Sequence, residues 1–230
     1  MASAARRMSG ALSVYLDLLR FLAAVVVFLH HMPRVSEGGY QPFATYGEDA
    51  VMLFFVLSGF VIAYVTDTKE RDPGTYMASR FARLYSVAVP ALILTLILDS
   101  IGRAADPTLY GSWYDSDYPL VRLIASLTFT NEIWSLNIRP FGNPPYWSIS
   151  YEFWYYVFFA ILMFARRWWL IALWAVFVGP LIVLLLPVWL AGVLIYRVHD
   201  RFSVPLPVAW AMALLPIATY VGCCAVGMRE

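Results

Sequence analysis

"LDLLRFLAAVVVFLHHM", residues 16–32, is apolar enough to cross a bilayer, yet it carries Asp17 and Arg20 near one end and His30 and His31 near the other. About 20 mostly apolar residues are needed to span roughly 30 Å of hydrocarbon as a helix, so the fold turns on whether this stretch is a span. Composition settles that. Of the 230 residues 61% are hydrophobic and 17% aromatic against 13% charged, and the mean hydropathy of +0.68 is well above what a water-soluble domain needs to build a core. The chain reads as an integral membrane protein, an all-α bundle of about seven spans forming one domain over residues 1–230.

Outward from the first span, further apolar runs long enough to cross lie near Ala50–Thr66, Leu84–Ile101, Trp147–Ala165, Trp168–Leu186 and Leu206–Met228. "PVWLAGVLIYRV" (187–198) is shorter, begins with Pro187 and is expected as a short span inside the bundle. "PLVRLIASLTFTNEIWSL" (119–136) is more polar, with Arg122 and Asn131-Glu132, and is expected to be re-entrant or interfacial. There is no internal repeat, low-complexity tract or linker. Arg6 and Arg7 precede the first span without a small-residue cleavage site after it, so that span is expected to stay in the mature protein.

Cytoplasmic loops are rich in arginine and lysine. By that rule Arg6 and Arg7, the loop "TDTKERDPGTYMASRFAR" (66–83) and Arg166-Arg167 lie on the cytoplasmic side, provided 119–136 does not cross. The acidic loop 102–118 then faces outward, which describes a multi-pass cell (inner) membrane protein with a cytoplasmic N-terminus. A formal net charge of +1 and the absence of a long basic run exclude nucleic acid as an expected partner. Lipid and small or membrane-associated molecules remain. The adjacent cysteines Cys223 and Cys224 suit packing rather than a disulfide or a metal site.

A charge in mid-span costs on the order of 3 kcal/mol, so such groups normally face the bundle interior or a wet cavity. Arg20 and His31, eleven residues and about 16 Å apart on a helix, project from nearly one face. Asp17 shares that face through its i,i+3 relation to Arg20, whereas His30 is turned away by roughly 100°. From this helix alone, Asp17 and Arg20 read equally well as a structural pair and His31 as a headgroup-level residue. Ser58-Gly59 in the second span permits close helix approach. Arg80 and Arg83 share a face at the mouth of the third span, where they suit either phosphate binding or anchoring. In "NPPYWSISYEFWYYVFF" (143–159), Pro144 and Pro145 open a helix with Ser148, Glu152 and Tyr155 or Tyr156 on one side.

In this order the segments resemble membrane acyltransferase family 3. "LDLLRFLA" (16–23) is similar to the family's opening signature, with Leu19 where glycine is common, and Arg20 and His31 keep its arginine-to-histidine spacing. "LFFVLSGFVI" (53–62), Arg80 with Arg83, "YWSISYEFWYY" (146–156) and "WLAGVLIYR" (189–197) resemble its later motifs, although Ser86 stands where a proline is often found. The resemblance implies transfer of an acyl group, most often acetyl, from cytoplasmic acyl-CoA to a hydroxyl of a cell-envelope or exported carbohydrate or glycolipid, without a metal. It implies His31 as general base, Glu152 orienting it or stabilising its imidazolium, Asp17 paired with Arg20, and Arg80 and Arg83 on the donor's phosphates. Such proteins usually have about ten spans, so the terminal spans are expected to be missing from this chain. Two rival readings are a transporter or flippase, which predicts inverted repeats, and an inactive acyltransferase fragment.

Overall fold

The computed structural model describes residues 8–31, 46–111, 114 and 116–201, with isolated positions at 205, 207, 208 and 211. Arg6, Arg7, Cys223, Cys224 and nearly all of the expected 206–228 span lie outside the described residues. Seven α-helices occur among those described: α1 (Gly10–His31), α2 (Gly47–Thr68), α3 (Pro73–Ala105), α4 (Pro119–Leu127), α5 (Trp147–Ala160), α6 (Trp168–Val178) and α7 (Pro180–Val198). Five segments among the described residues are long and apolar enough to cross a membrane: α1, α2, α3, Pro144–Ala165 containing α5, and α7.

One of the two missing spans has a local cause, and the other, 206–228, lies almost wholly outside the described residues. Residues 168–186 are not one helix, because the chain breaks at Gly179, which adopts φ 85, ψ 177, a conformation open to glycine and closed to other residues. Pro180 then starts α7 at the position where its missing N–H costs nothing. Gly179 also lets the backbone of Trp134 approach, since a Cβ there would lie 2.9 Å from Trp134 Cα. What remains as α6 has 11 residues, about 16 Å of rise and short of the hydrocarbon thickness. The separate short span expected at 187–198 is instead the second half of α7, with Pro187 inside the helix.

The tightest helix pair is α2 with α7. A Cβ on Gly59 would fall on the carbonyl oxygen of Trp189, and one on Gly192 on that of Val56, so the two glycines set the backbone separation from opposite sides. Around this pair is an aromatic core whose polar tips donate to backbone carbonyls, as buried Tyr and Trp require. Tyr155 donates to Ile182 O at 3.1 Å, Trp174 to Trp154 O at 3.1 Å and Tyr146 to Ser126 O at 3.0 Å. The outer faces of α1 and α3 carry exposed Val14, Leu18, Phe21, Ile93, Leu94 and Ile97, the surface that hydrocarbon would cover.

Residues 119–143 do not cross. The nine residues of α4 rise about 14 Å, and Leu120, Val121 and Ile124 are exposed while Ala125 and Ser126 are buried. At the tip, Tyr85 of α3 donates to Leu127 O at 2.8 Å, while Ser150 and Trp154 of α5 donate to Phe129 O at 2.6 and 2.8 Å. Farther along the chain Gly142 N donates to Asp99 of α3 at 2.8 Å, and Asn143 to Thr95 at 3.0 Å. Tyr85 and Asp99 are about 21 Å apart along α3, so the segment dips into the bundle and returns. Arg122 ties the two limbs by donating to Arg139 O at 2.9 Å. A re-entrant turn is tolerated at such depth only if its backbone groups are satisfied by protein, and the three donors from α3 and α5 do this at the tip.

Candidate functional site

A cavity of about 730 Å³ is enclosed by α1, α2, α3, α5, the start of α7 and the re-entrant limb. At the end formed by the C-terminus of α1, His30 and His31 pack edge to face with ring centroids 4.7 Å apart. A Cβ at Gly47 would strike the His30 ring, which explains a glycine at the first residue of α2. His31 Nδ1 lies 2.7 Å from Val27 O. A carbonyl oxygen only accepts, so Nδ1 donates, and in the neutral ring Nε2 holds the lone pair. No residue among those described engages that Nε2, and the ring lines the cavity.

Arg20 lines the same cavity three helical turns away, as the shared face of α1 predicts. Its Nη1 donates to Asp17 Oδ1 at 2.8 Å, while Nη2 is buried without a hydrogen-bond partner. Asp17 stays 68% exposed and does not reach the cavity.

Glu152 projects from the second turn of α5. Its Oε1 accepts from Ser58 of α2 at 2.8 Å and from the Tyr156 phenol, and Trp189 donates to Ser58 Oγ at 3.3 Å. Of the two tyrosines expected beside Glu152, Tyr156 takes the place, and Tyr155 turns to α7 instead. Thus Ser58, next to the packing residue Gly59, has a second use, holding Glu152. Glu152 and His31 share the cavity without a hydrogen bond between them.

The two arginines of α3 part company. Arg83 lines the cavity, within electrostatic range of Tyr156 and Glu152. Arg80 does not line it. It is 5% exposed, its Nη2 donates to both oxygens of Glu70 at 2.6 and 2.8 Å, and its guanidinium lies 5.5 and 5.8 Å from the ring centres of Tyr76 and Tyr156.

Glu132, Ser135, Asn137 and Arg139 of the re-entrant limb line the cavity and escape sequence reasoning as site residues, as does Glu48 at the start of α2. For the limb, the only signal was polarity at Asn131-Glu132 in an otherwise apolar run. Glu132 is 7% exposed. Burial holds its carboxyl above the ordinary carboxylate range, against the opposing pull of the Asn131 amide and the Arg139 charge. Among the described residues no three His, Cys, Asp or Glu side chains gather as a metal site would require.

Residues 13–229 match the family model described as an acyltransferase domain. The chain is 34% identical over 167 residues to the acyltransferase MdmB of Streptomyces mycarofaciens, a match covering 66% of this chain and 41% of that protein. It is 39% identical over 85 residues to protein 2 in the picA locus of Rhizobium radiobacter, covering 35% of this chain and 42% of that one. The chain thus spans about two fifths of the length of these curated relatives. No solved structure matches it. A multi-spanning helix bundle, the motifs of α1, α2, α3 and α5 around one cavity, and a family match over nearly its whole length lead to one assignment: the chain belongs to acyltransferase family 3, the membrane acyltransferases.

Proposed function

We propose that this protein moves an acyl group, most simply acetyl, from acyl-CoA to a hydroxyl of a cell-envelope or exported carbohydrate, inside the cavity between His31 and Arg83. The observation that carries the reading is the 2.7 Å contact of His31 Nδ1 with Val27 O in a ring that lines the cavity: Nδ1 donates, and in the neutral ring the lone pair is left on Nε2. Nε2 takes the proton of the acceptor hydroxyl as its oxygen attacks the thioester carbonyl carbon. The carbonyl re-forms as the C–S bond breaks, and the imidazolium returns the proton to the departing thiolate, leaving ester and free CoA thiol. No covalent acyl-enzyme is needed.

The remaining groups fit roles around that step. Arg83 and Arg20 are cationic side chains lining the cavity, suited to the anionic parts of the donor. Arg80, held by Glu70, supports the α3 end of the site rather than meeting the donor. Glu152, fixed by Ser58 and Tyr156, supplies negative charge that balances Arg83 and an imidazolium on His31 through space. Asp17 orients Arg20 from outside the cavity. With the arginine-rich loops in the cytoplasm, the donor enters from the Arg83 end and the acceptor meets His31 at the opposite end, in an inner membrane with the N-terminus cytoplasmic.

The test is transfer of labelled acetyl from acetyl-CoA in membranes carrying the protein. His31→Ala should insert normally and lose at least about 10² in rate, while His30→Ala is milder. Equal activity of His31→Ala and wild type would remove His31 as the base.

A further inference from the structure

The groups assigned to the transfer step lie on α1, α2, α3 and α5, with Glu70 in the turn between α2 and α3. The re-entrant limb lines the same cavity with Glu132, Ser135, Asn137 and Arg139, none of which the transfer chemistry needs. Phe129, Trp134, Ser135, Asn137 and Phe141 along this limb all hold left-handed backbone conformations, with φ between 48 and 63. Non-glycine residues are held there only where surrounding structure fixes them. Here the tip is bound by Tyr85, Ser150 and Trp154, and the return by Asp99 and Thr95.

Glu132 is the centre of this wall. Asn131 Nδ2 donates to its Oε1 at 3.1 Å, and its Oε2 accepts no hydrogen bond among the described residues. On a side chain that lines the cavity, that second oxygen is placed to accept a hydrogen bond from a ligand. Arg139 lies within electrostatic range and supplies donors in turn, as do Asn137 and Ser135. Tyr151, within electrostatic range of Glu132, packs edge to face on Trp147 at 5.1 Å, and both rings line the cavity. A surface offering acceptors and donors side by side against aromatic rings suits a molecule with several adjacent hydroxyls on an apolar ring frame. An acceptor with one hydroxyl gives that hydroxyl to His31 and offers none to Glu132.

Resting on the acyl-transfer reading above, we infer that the re-entrant limb is the acceptor-selecting wall, where Glu132 and Arg139 bind hydroxyls neighbouring the one acylated.

The test compares methyl glucopyranoside and methyl galactopyranoside with cyclohexanol as acceptors of labelled acetyl, using the full chain in nanodiscs, alongside tryptophan-fluorescence titration of each glycoside without donor. Glu132→Gln retains an oxygen for Asn131 Nδ2, so it isolates the carboxylate without removing that hydrogen bond. Arg139→Gln serves as the second variant. Both should lower kcat/KM for glycosides relative to cyclohexanol by at least about tenfold and weaken glycoside binding by a similar factor. An unchanged glycoside-to-cyclohexanol ratio in both variants would overturn the assignment, as would wild-type protein that acetylates cyclohexanol but binds neither glycoside. Glycoside binding that is lost in Glu132→Gln, with no acetyl transfer to any acceptor, would support the wall and overturn acyl transfer instead.

Discussion

Arg80 and Arg83 are one helical turn apart and alike in sequence, but they meet different surroundings. Arg80 is in a buried ion pair with Glu70, with side chains 6% and 11% exposed, whereas Arg83 opens to the cavity. Removing one partner of a buried pair leaves the other charge uncompensated, at a cost of about 3 to 5 kcal/mol. Arg80→Ala should therefore lower the melting temperature in detergent clearly, and Glu70→Gln should do so in part. Arg83→Ala should leave the melting temperature near wild type and weaken acyl-CoA binding, since a charge-assisted hydrogen bond contributes about 1.5 to 3 kcal/mol. Thermal melts with acyl-CoA titrations on the same preparations separate the two, and the reverse pattern would exchange the roles assigned here. Spacing placed both arginines on one face of α3 but could not show the difference, because Glu70 reaches Arg80 only after the turn between α2 and α3 folds back.

At the scale of elements, the α2–α7 contact rests on two glycines whose missing side chains admit opposing carbonyls. Overpacking such a contact costs roughly 1 to 3 kcal/mol, so Gly59→Ala and Gly192→Ala should each lower thermal stability. Because Ser58 beside Gly59 holds Glu152, Gly59→Ala should also lower acetyl transfer, and retention of both properties would show that the helices can part freely. The small residues in "LSGF" were legible as packing residues from sequence, and so was the single face of α1 that carries Arg20 and His31, whereas Gly192 was legible only as part of a short span. The break at Gly179 was not, because the apolar run continues through it and only its backbone conformation and the nearby Trp134 set the boundary. The re-entrant limb was half legible. Its polarity argued against a full span, but its depth depends on tyrosine, serine and tryptophan donors far away in sequence. Glu132 remained hidden for the same reason.

For the whole molecule, α1 points its C-terminus, α2 its N-terminus and the re-entrant limb its return toward one end of the cavity, while Arg20 and Arg83 line it farther along α1 and α3. In the proposed function donor and acceptor reach this site from opposite sides of the membrane, which vectorial transfer in sealed inside-out vesicles checks. Labelled acetyl-CoA is supplied outside, at the former cytoplasmic face, and methyl glucopyranoside is trapped inside. Labelled ester should accumulate in the lumen with wild-type protein and be reduced by at least about 10² with His31→Ala. Acetylation only of glycoside supplied on the same side as acetyl-CoA, with none in the lumen, would contradict a cavity that joins the two faces.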